Sequence, residues 1–221
     1  MQSSKNNYTI NTLLADQLMN KPDCYRSINS GYEILNGNKI HKTAIINWDT
    51  VTIGTGNVIF PFVCIGTDAQ STNANSDGKI IVGDNNVFRE NSTVHLPTNP
   101  ECGTVIGNRN YIMANAHIAH DCHLEDDIVM ANNAALGGHV HVMKGANLAL
   151  NSSVHQFQVV GSWSMVGMNS CVSKSAKILP GQTFFGLPAK FIRRNQLALK
   201  RHNVNAAQLE AETQRFYQLV R

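Results

Sequence analysis

The residues of this chain that can do acid–base chemistry are concentrated between His117 and Gln156. His120 carries a side chain that titrates near neutrality, so it can take a proton from a hydroxyl at cellular pH. Asp121 follows it directly and can orient the ring or stabilise its charged form. Eighteen residues beyond His120 stands Gly138, and eighteen beyond that Gln156. A residue without Cβ lets a substrate come close and can offer its N–H to a developing oxyanion. Read singly, His120 is a corner residue and Gly137-Gly138 a tight turn; the shared spacing favours the chemical reading. His117, His123, His139, His141 and His155 crowd the same stretch. Their spacings admit zinc, with His139 and His141 alternating onto one side of a strand and His123 beside His141. Zinc ligand sets usually add a Cys or a carboxylate in a closed geometry, so we expect no metal. No Gly-x-Ser-x-Gly elbow or Ser-His-Asp order supplies a serine nucleophile, and no Gly-rich phosphate loop precedes a helix.

What must position these residues is a repeat of six. Cut into sixes from Val105, the chain reads VIGNRN, YIMANA, HIAHDC, HLEDDI and so on to TFFGLP at Pro188. The second residue of all fourteen blocks is apolar, from Ile106 to Phe184. A fixed short period marks a solenoid, and six is the period of the hexapeptide parallel β-helix. Each block predicts one short strand and one corner, with the apolar residue inside and a small third residue, such as Gly107 or Gly137, where the backbone turns. Three blocks make a triangular coil, so residues eighteen apart stack about 4.8 Å from one another. His120, Gly138 and Gln156 then form one column, Asp121, His139 and Phe157 the next, and Ala119, Gly137 and His155 the one before.

The repeats begin near Ile40, giving a β-helix over 40–188. Two polar stretches break the beat, near 68–79 and 95–104, and read as loops that can wall a pocket beside the column. Residues 1–39 lack the period and read as a cap: a short helix from Thr12, then a strand Tyr32 to Leu35 between two turns. The cap would cover the open strand edge of the first coil. Residues 189–221 read as a C-terminal helical segment, with helices over 189–203 and 206–220.

Bulk composition narrows the partners. The 221 residues carry a net charge of +3 and only 15% charged side chains, too mild a balance to argue for nucleic acid. Lys190, Arg193, Arg194, Lys200 and Arg201 form a basic cluster suited to a phosphate or an acidic protein. The five cysteines are odd in number and show no Cys-x-x-Cys framework, as expected of reduced thiols in the cytoplasm. No apolar run reaches the ~20 residues that span a bilayer, and the N-terminus lacks the pattern of a secretion signal.

HIAHDC, ANNAALGGHV and VHQF, spaced on hexapeptide repeats, resemble the UDP-N-acetylglucosamine O-acyltransferases of lipid A synthesis over roughly residues 80–202. The resemblance implies an all-β fold with a helical C-terminus, a left-handed parallel β-helix assembled as a homotrimer with active sites between subunits. It implies that His120 is the general base, that Asp121 supports it, and that the Gly138 N–H stabilises the oxyanion from an acyl thioester. His117, His139, His155, Gln156, Asn195 and Arg201 would meet a sugar-nucleotide acceptor. The donor would be acyl carrier protein, or acyl-CoA in the alternative in which another nucleotide-linked sugar or amine is acylated. No cofactor is expected. Departures fall on the acceptor side. An Asp-Leu-Lys stretch of the family, which holds the sugar, is replaced by Ala69-Gln70-Ser71-Thr72-Asn73; Leu197 replaces an acidic residue and His202 an arginine. Met168 stands where some members have Gly at the floor of the acyl groove, which predicts a shorter acyl chain.

Overall fold

The computed structural model describes Gln17 and residues 31–72, 78–101 and 103–220. Among the described residues, short strands form three sheets of ten, seven and six strands, one along each face of a triangular prism. Pairing within a face is parallel at a step of eighteen, as in Val105 to His123 to His141 to Val159. Every second-position residue from Ile106 to Phe184 is buried. Each such Ile, Leu or Val contributes about 1.5–3 kcal/mol, and together they form one continuous core down the axis.

The corners have a rule the third-position glycines did not suggest. Every sixth residue from Arg109 to Asn169, the fifth of each block, has φ between +54° and +67°. Asn, Asp and Gly tolerate that left-handed region best, and they hold most of these positions, which accounts for the abundance of Asn. The third-position glycines serve close approach between coils instead. A Cβ on Gly137 would lie 2.8 Å from the Gln156 nitrogen, and one on Gly161 2.4 Å from the Pro180 nitrogen.

The two polar stretches are excursions from the coil. Within the six-stranded face the step from coil to coil is 29 residues at Val51 to Ile80 and 24 at Lys79 to Gly103, against eighteen later. Strands take up the ends, at Lys79–Val82, Thr93–His95 and Gly103–Ile106, so the loops are slightly shorter than the spacing indicated.

At the N-terminal end Tyr32–Leu35 pairs antiparallel with Asn38–His41 through the left-handed turn Asn36-Gly37. The helix expected from Thr12 lies outside the described residues. At the other end the helix expected over 189–203 is corrected. Lys190–Arg194 is a strand, paired antiparallel with Gln182–Phe185. Its aromatic and β-branched Phe191-Ile192 suit an extended chain, and the hairpin satisfies a backbone that an isolated helix would leave at the sheet edge. Helix α1 follows at Gln196–Arg201 and α2 at Ala206–Leu219. The latter buries Phe216 against Met143 and Val159. It is also pinned by Arg215, which bonds Glu125 and Glu212, and by Lys144 Nζ, 2.8 Å from Glu212.

Candidate active site

The site lies on the prism edge between the seven- and six-stranded faces, where the corners 119–121, 137–139 and 155–157 stack. Backbone bonds tie them together: the His139 N–H donates to the His120 carbonyl at 3.0 Å, and the Phe157 N–H to the Gly138 carbonyl at 2.9 Å. Because Asp121, His139 and Phe157 all occupy the left-handed position, their side chains leave successive coils at the same angle. An aromatic residue at φ +63° is strained. Phe157 is nonetheless held there, its ring stacked on His139 at 4.4 Å and 6°.

His120 and Asp121 form the dyad the spacing suggested, with His120 Nδ1 2.8 Å from Asp121 Oδ2. That bond leaves Nε2 as the ring nitrogen able to face a substrate. The Asp121 side chain is 2% exposed. Burial alone would raise its carboxyl; hydrogen bonds from His120 and from both the N–H and the hydroxyl of Thr98, with His139 nearby, hold it below the ordinary carboxylate range. The imidazole ring lies against the α-carbon of Gly138: a Cβ there would sit 2.2 Å from His120 Cε1. Among the described residues the Gly138 N–H has no hydrogen-bond partner, so it is free to donate where that carbon is bare.

An open cleft of about 550 Å³ covers this edge. His120, His139, Gln156 and Phe157 form its floor, and both excursions wall it, with Gln70, Ser71 and Thr72 on one side and Thr98 and Asn99 on the other. Beneath, His95 is buried and its ring meets His117 edge-on at 4.7 Å. Burial, then the neighbouring His117 and His120, push His95 down to about 4, so it is neutral at pH 7.

Other anticipated residues are placed elsewhere. His117, half-buried on the seven-stranded face, bonds Thr93 Oγ1 through Nδ1 at 2.7 Å; burial and then His120 lower its pKa. His155 shares the corner but is turned to the Gln156 carbonyl, 2.9 Å from its Nδ1. Asn195 caps α1 and donates from Nδ2 to the Trp163 carbonyl at 3.0 Å, on the edge between the six- and ten-stranded faces. Arg201 is exposed in the last turn of α1. Met168 is exposed on the third edge. Within one chain, therefore, His120, Asp121, Gly138, His139 and Gln156 come together, and Asn195, Arg201 and Met168 do not join them.

Of the zinc arrangement considered from spacing, His123 does stand beside His141, ring centroids 4.5 Å apart, but His139 does not join them. His139 is a left-handed corner residue rather than an extended one, so it turns to Asp121, Nε2 3.5 Å from Oδ2. His141 instead pairs with Glu125 at 2.7 Å. The metal-capable trio among the described residues is His120, Asp121 and His139, with ligand atoms within 4.8 Å of one another. Reasoning from sequence also passed over Thr98 and Thr104. Thr98 follows Pro97 in a loop whose period had broken, so no column assigned it a neighbour.

The bacterial transferase hexapeptide family (six repeats) matches residues 103–138. The acyl-(acyl-carrier-protein)-UDP-N-acetylglucosamine O-acyltransferase of Gloeothece citriformis is 35% identical over 169 residues, 76% of this chain and 60% of that protein. The enzyme of the same name from Syntrophobacter fumaroxidans is 38% identical over 201 residues, 90% of this chain and 76% of that protein. This chain thus spans about three-fifths of the length of the first relative and three-quarters of the second. The crystal structure of a UDP-N-acetylglucosamine acyltransferase from Bacteroides fragilis superposes with a TM-score of 0.73 at 29% identity, covering 80% of this chain and 69% of that one. The coil is accordingly left-handed, a sense that strand pairing and periodicity did not supply. With these relatives spread along nine-tenths of its length, and with its coils, corner rule and His-Asp edge in place, the chain belongs to the UDP-N-acetylglucosamine O-acyltransferase family.

Proposed function

We propose that the protein transfers an acyl group from an acyl-carrier-protein thioester to a hydroxyl of UDP-N-acetylglucosamine, the reaction its relatives are named for. The observation that carries the reading is the His120–Asp121 dyad held against the bare α-carbon of Gly138, with His120 on the floor of an open cleft. His120 Nε2 removes the acceptor's hydroxyl proton as its oxygen attacks the thioester carbonyl. The Gly138 N–H donates to the oxyanion of the tetrahedral intermediate. Collapse breaks the carbon–sulfur bond, and the departing thiolate takes the proton from the imidazolium. Asp121 holds the ring and offsets its transient charge. The thioester brings its own activation, so the step needs no cofactor.

His139, Gln156 and the neutral trio Gln70, Ser71 and Thr72 are the polar groups on hand to hold the sugar nucleotide. Lys190, Arg193, Arg194, Lys200 and Arg201, all exposed, suit an acidic carrier protein. Met168, Asn195 and Arg201 reach the reaction from neighbouring copies: they sit on other edges of the prism, and a homotrimer with clefts between subunits brings edges of adjacent chains together. Inactive His120 and Asn195 variants, mixed and reassembled, should then regain part of the activity; mixtures as inactive as their parents would remove the shared site. We place the enzyme in the cytoplasm, where its donor and acceptor are water-soluble. Among the described residues no helix is long and apolar enough to cross a membrane.

The test is product identification by mass spectrometry, with purified protein and a panel of sugar nucleotides against carrier-protein and CoA thioesters. Acylated UDP-N-acetylglucosamine from the carrier-protein thioester is the expected product. Turnover of a different acceptor, or of CoA thioesters alone, would replace this reading.

A further inference from the structure

The catalytic carboxylate is fastened from a loop that the repeat does not generate. Thr98, in the second excursion, reaches Asp121 twice: its Oγ1 donates to Oδ2 at 2.8 Å, and its N–H lies 3.1 Å from the same oxygen and 3.3 Å from Oδ1. The Asp121 backbone is fixed from the same side. Its N–H donates to Thr104 Oγ1 at 3.0 Å, and that hydroxyl donates to the His95 carbonyl at 2.9 Å. Thr104 is fully buried. Both ends of the left-handed Asp121 corner are thus tied to the chain that leaves and re-enters the coil at residues 95–104.

A carboxylate oxygen facing an imidazole can swing about its Cα–Cβ and Cβ–Cγ bonds. Asp121 Oδ2 already has His120 Nδ1 at 2.8 Å and His139 Nε2 at 3.5 Å, two rings competing for one atom. We propose that Thr98 is a positioning residue for the proposed acyl transfer: it sets the rotamer of Asp121 so that the carboxylate stays with His120 rather than swinging to His139, and thereby aims His120 Nε2 at the acceptor. The proposal rests on the acyl-transfer reading. It gives the second excursion a task distinct from walling the cleft.

Thr98→Val removes the hydroxyl donor and keeps the branched shape and the N–H; Thr98→Ser keeps the donor and loses only the methyl. For Thr98→Val, kcat should fall about 10- to 100-fold, the usual consequence of a misaimed catalytic group, while the acceptor KM stays within about twofold. The serine variant should recover most of the loss. With the carboxylate turned toward His139, the charged His120 ring loses its counter-charge, so the acid limb of the kcat/KM profile should move to lower pH. Asp121 and His139 face His120 directly, and His95 and His117 are the other titratable groups within electrostatic reach; none of them is altered by the substitution. Thr98→Ala serves if the valine variant melts below assay temperature. Near-parental kcat in Thr98→Val, or equal losses in the valine and serine variants with no movement of the acid limb, would overturn the proposal. If the parent itself transfers no acyl group, the functional reading has failed. The nitrogen resonances of the His120 ring, titrated with and without the Thr98 hydroxyl, then still decide whether Thr98 governs the dyad.

Discussion

Adding one methyl group at Gly138 should disable the site without unfolding the protein. A Cβ built there lies 2.2, 2.6 and 2.8 Å from three atoms of the His120 ring, where 3.4 Å begins ordinary contact. The nearest atoms belong to a side chain, so the ring yields before the backbone does. It must retreat by more than an ångström. That displacement stretches the 2.8 Å bond to Asp121 beyond hydrogen-bonding length and pushes Nε2 out of line. A misplacement of that size costs about 100-fold in rate, or about 2.7 kcal/mol of transition-state stabilisation. Gly138 is not among the residues of left-handed φ, so alanine is sterically allowed on the backbone and its reduced freedom in the unfolded chain offers about 0.4–1 kcal/mol in return. Gly138→Ala should therefore melt near the parent while kcat falls about 100-fold, by steady-state assay with carrier-protein thioester and UDP-N-acetylglucosamine. Combined with His120→Ala it should add little, because the clash and the base are the same event. A Gly138→Ala enzyme within a few-fold of the parent, or one whose loss adds in full to that of His120→Ala, would refute the reasoning.

Two further outcomes follow from particular side chains. Met168 fills space where glycine would leave room, so a donor-length series should peak at short or medium acyl chains and shift to longer ones in Met168→Gly; a maximum at the longest chains that the substitution leaves unmoved would remove Met168 from the acyl path. His95 is held neutral at about 4, below its ordinary 6.5. The unfolded chain binds the proton first, so this residue's contribution is whole above pH 6.5 and drains as pH falls toward 4. His95→Gln should flatten the melting temperature between those values, and an unchanged slope would mean that the acid loss arises elsewhere.

The core and the site column were legible because both are periodic. One apolar residue in six sets what is buried, and a step of eighteen stacks His120 over Gly138. The corner itself was misplaced by two residues: small third-position side chains draw the eye, whereas the turn is made by a left-handed fifth residue whose Asn, Asp and His pass for ordinary polar surface. Where the period stops, legibility stops with it. Thr98 has no column, and Lys190–Arg194 lies past the last repeat, where its extended propensity at Phe191-Ile192 is too short a signal to stand against the helical pattern that follows. Asn195, Arg201 and Met168 were grouped with His120 by resemblance alone. A single chain spreads them and His120 over three edges, so their meeting belongs to the proposed trimer and not to any pattern within one chain.

The most direct test separates binding from chemistry at His120. Acceptor affinity measured by calorimetry should be within a few-fold of the parent in His120→Ala, while acyl transfer in a single turnover falls about 10²- to 10⁴-fold. Transfer at near-parental rate without the imidazole would contradict the account at its centre.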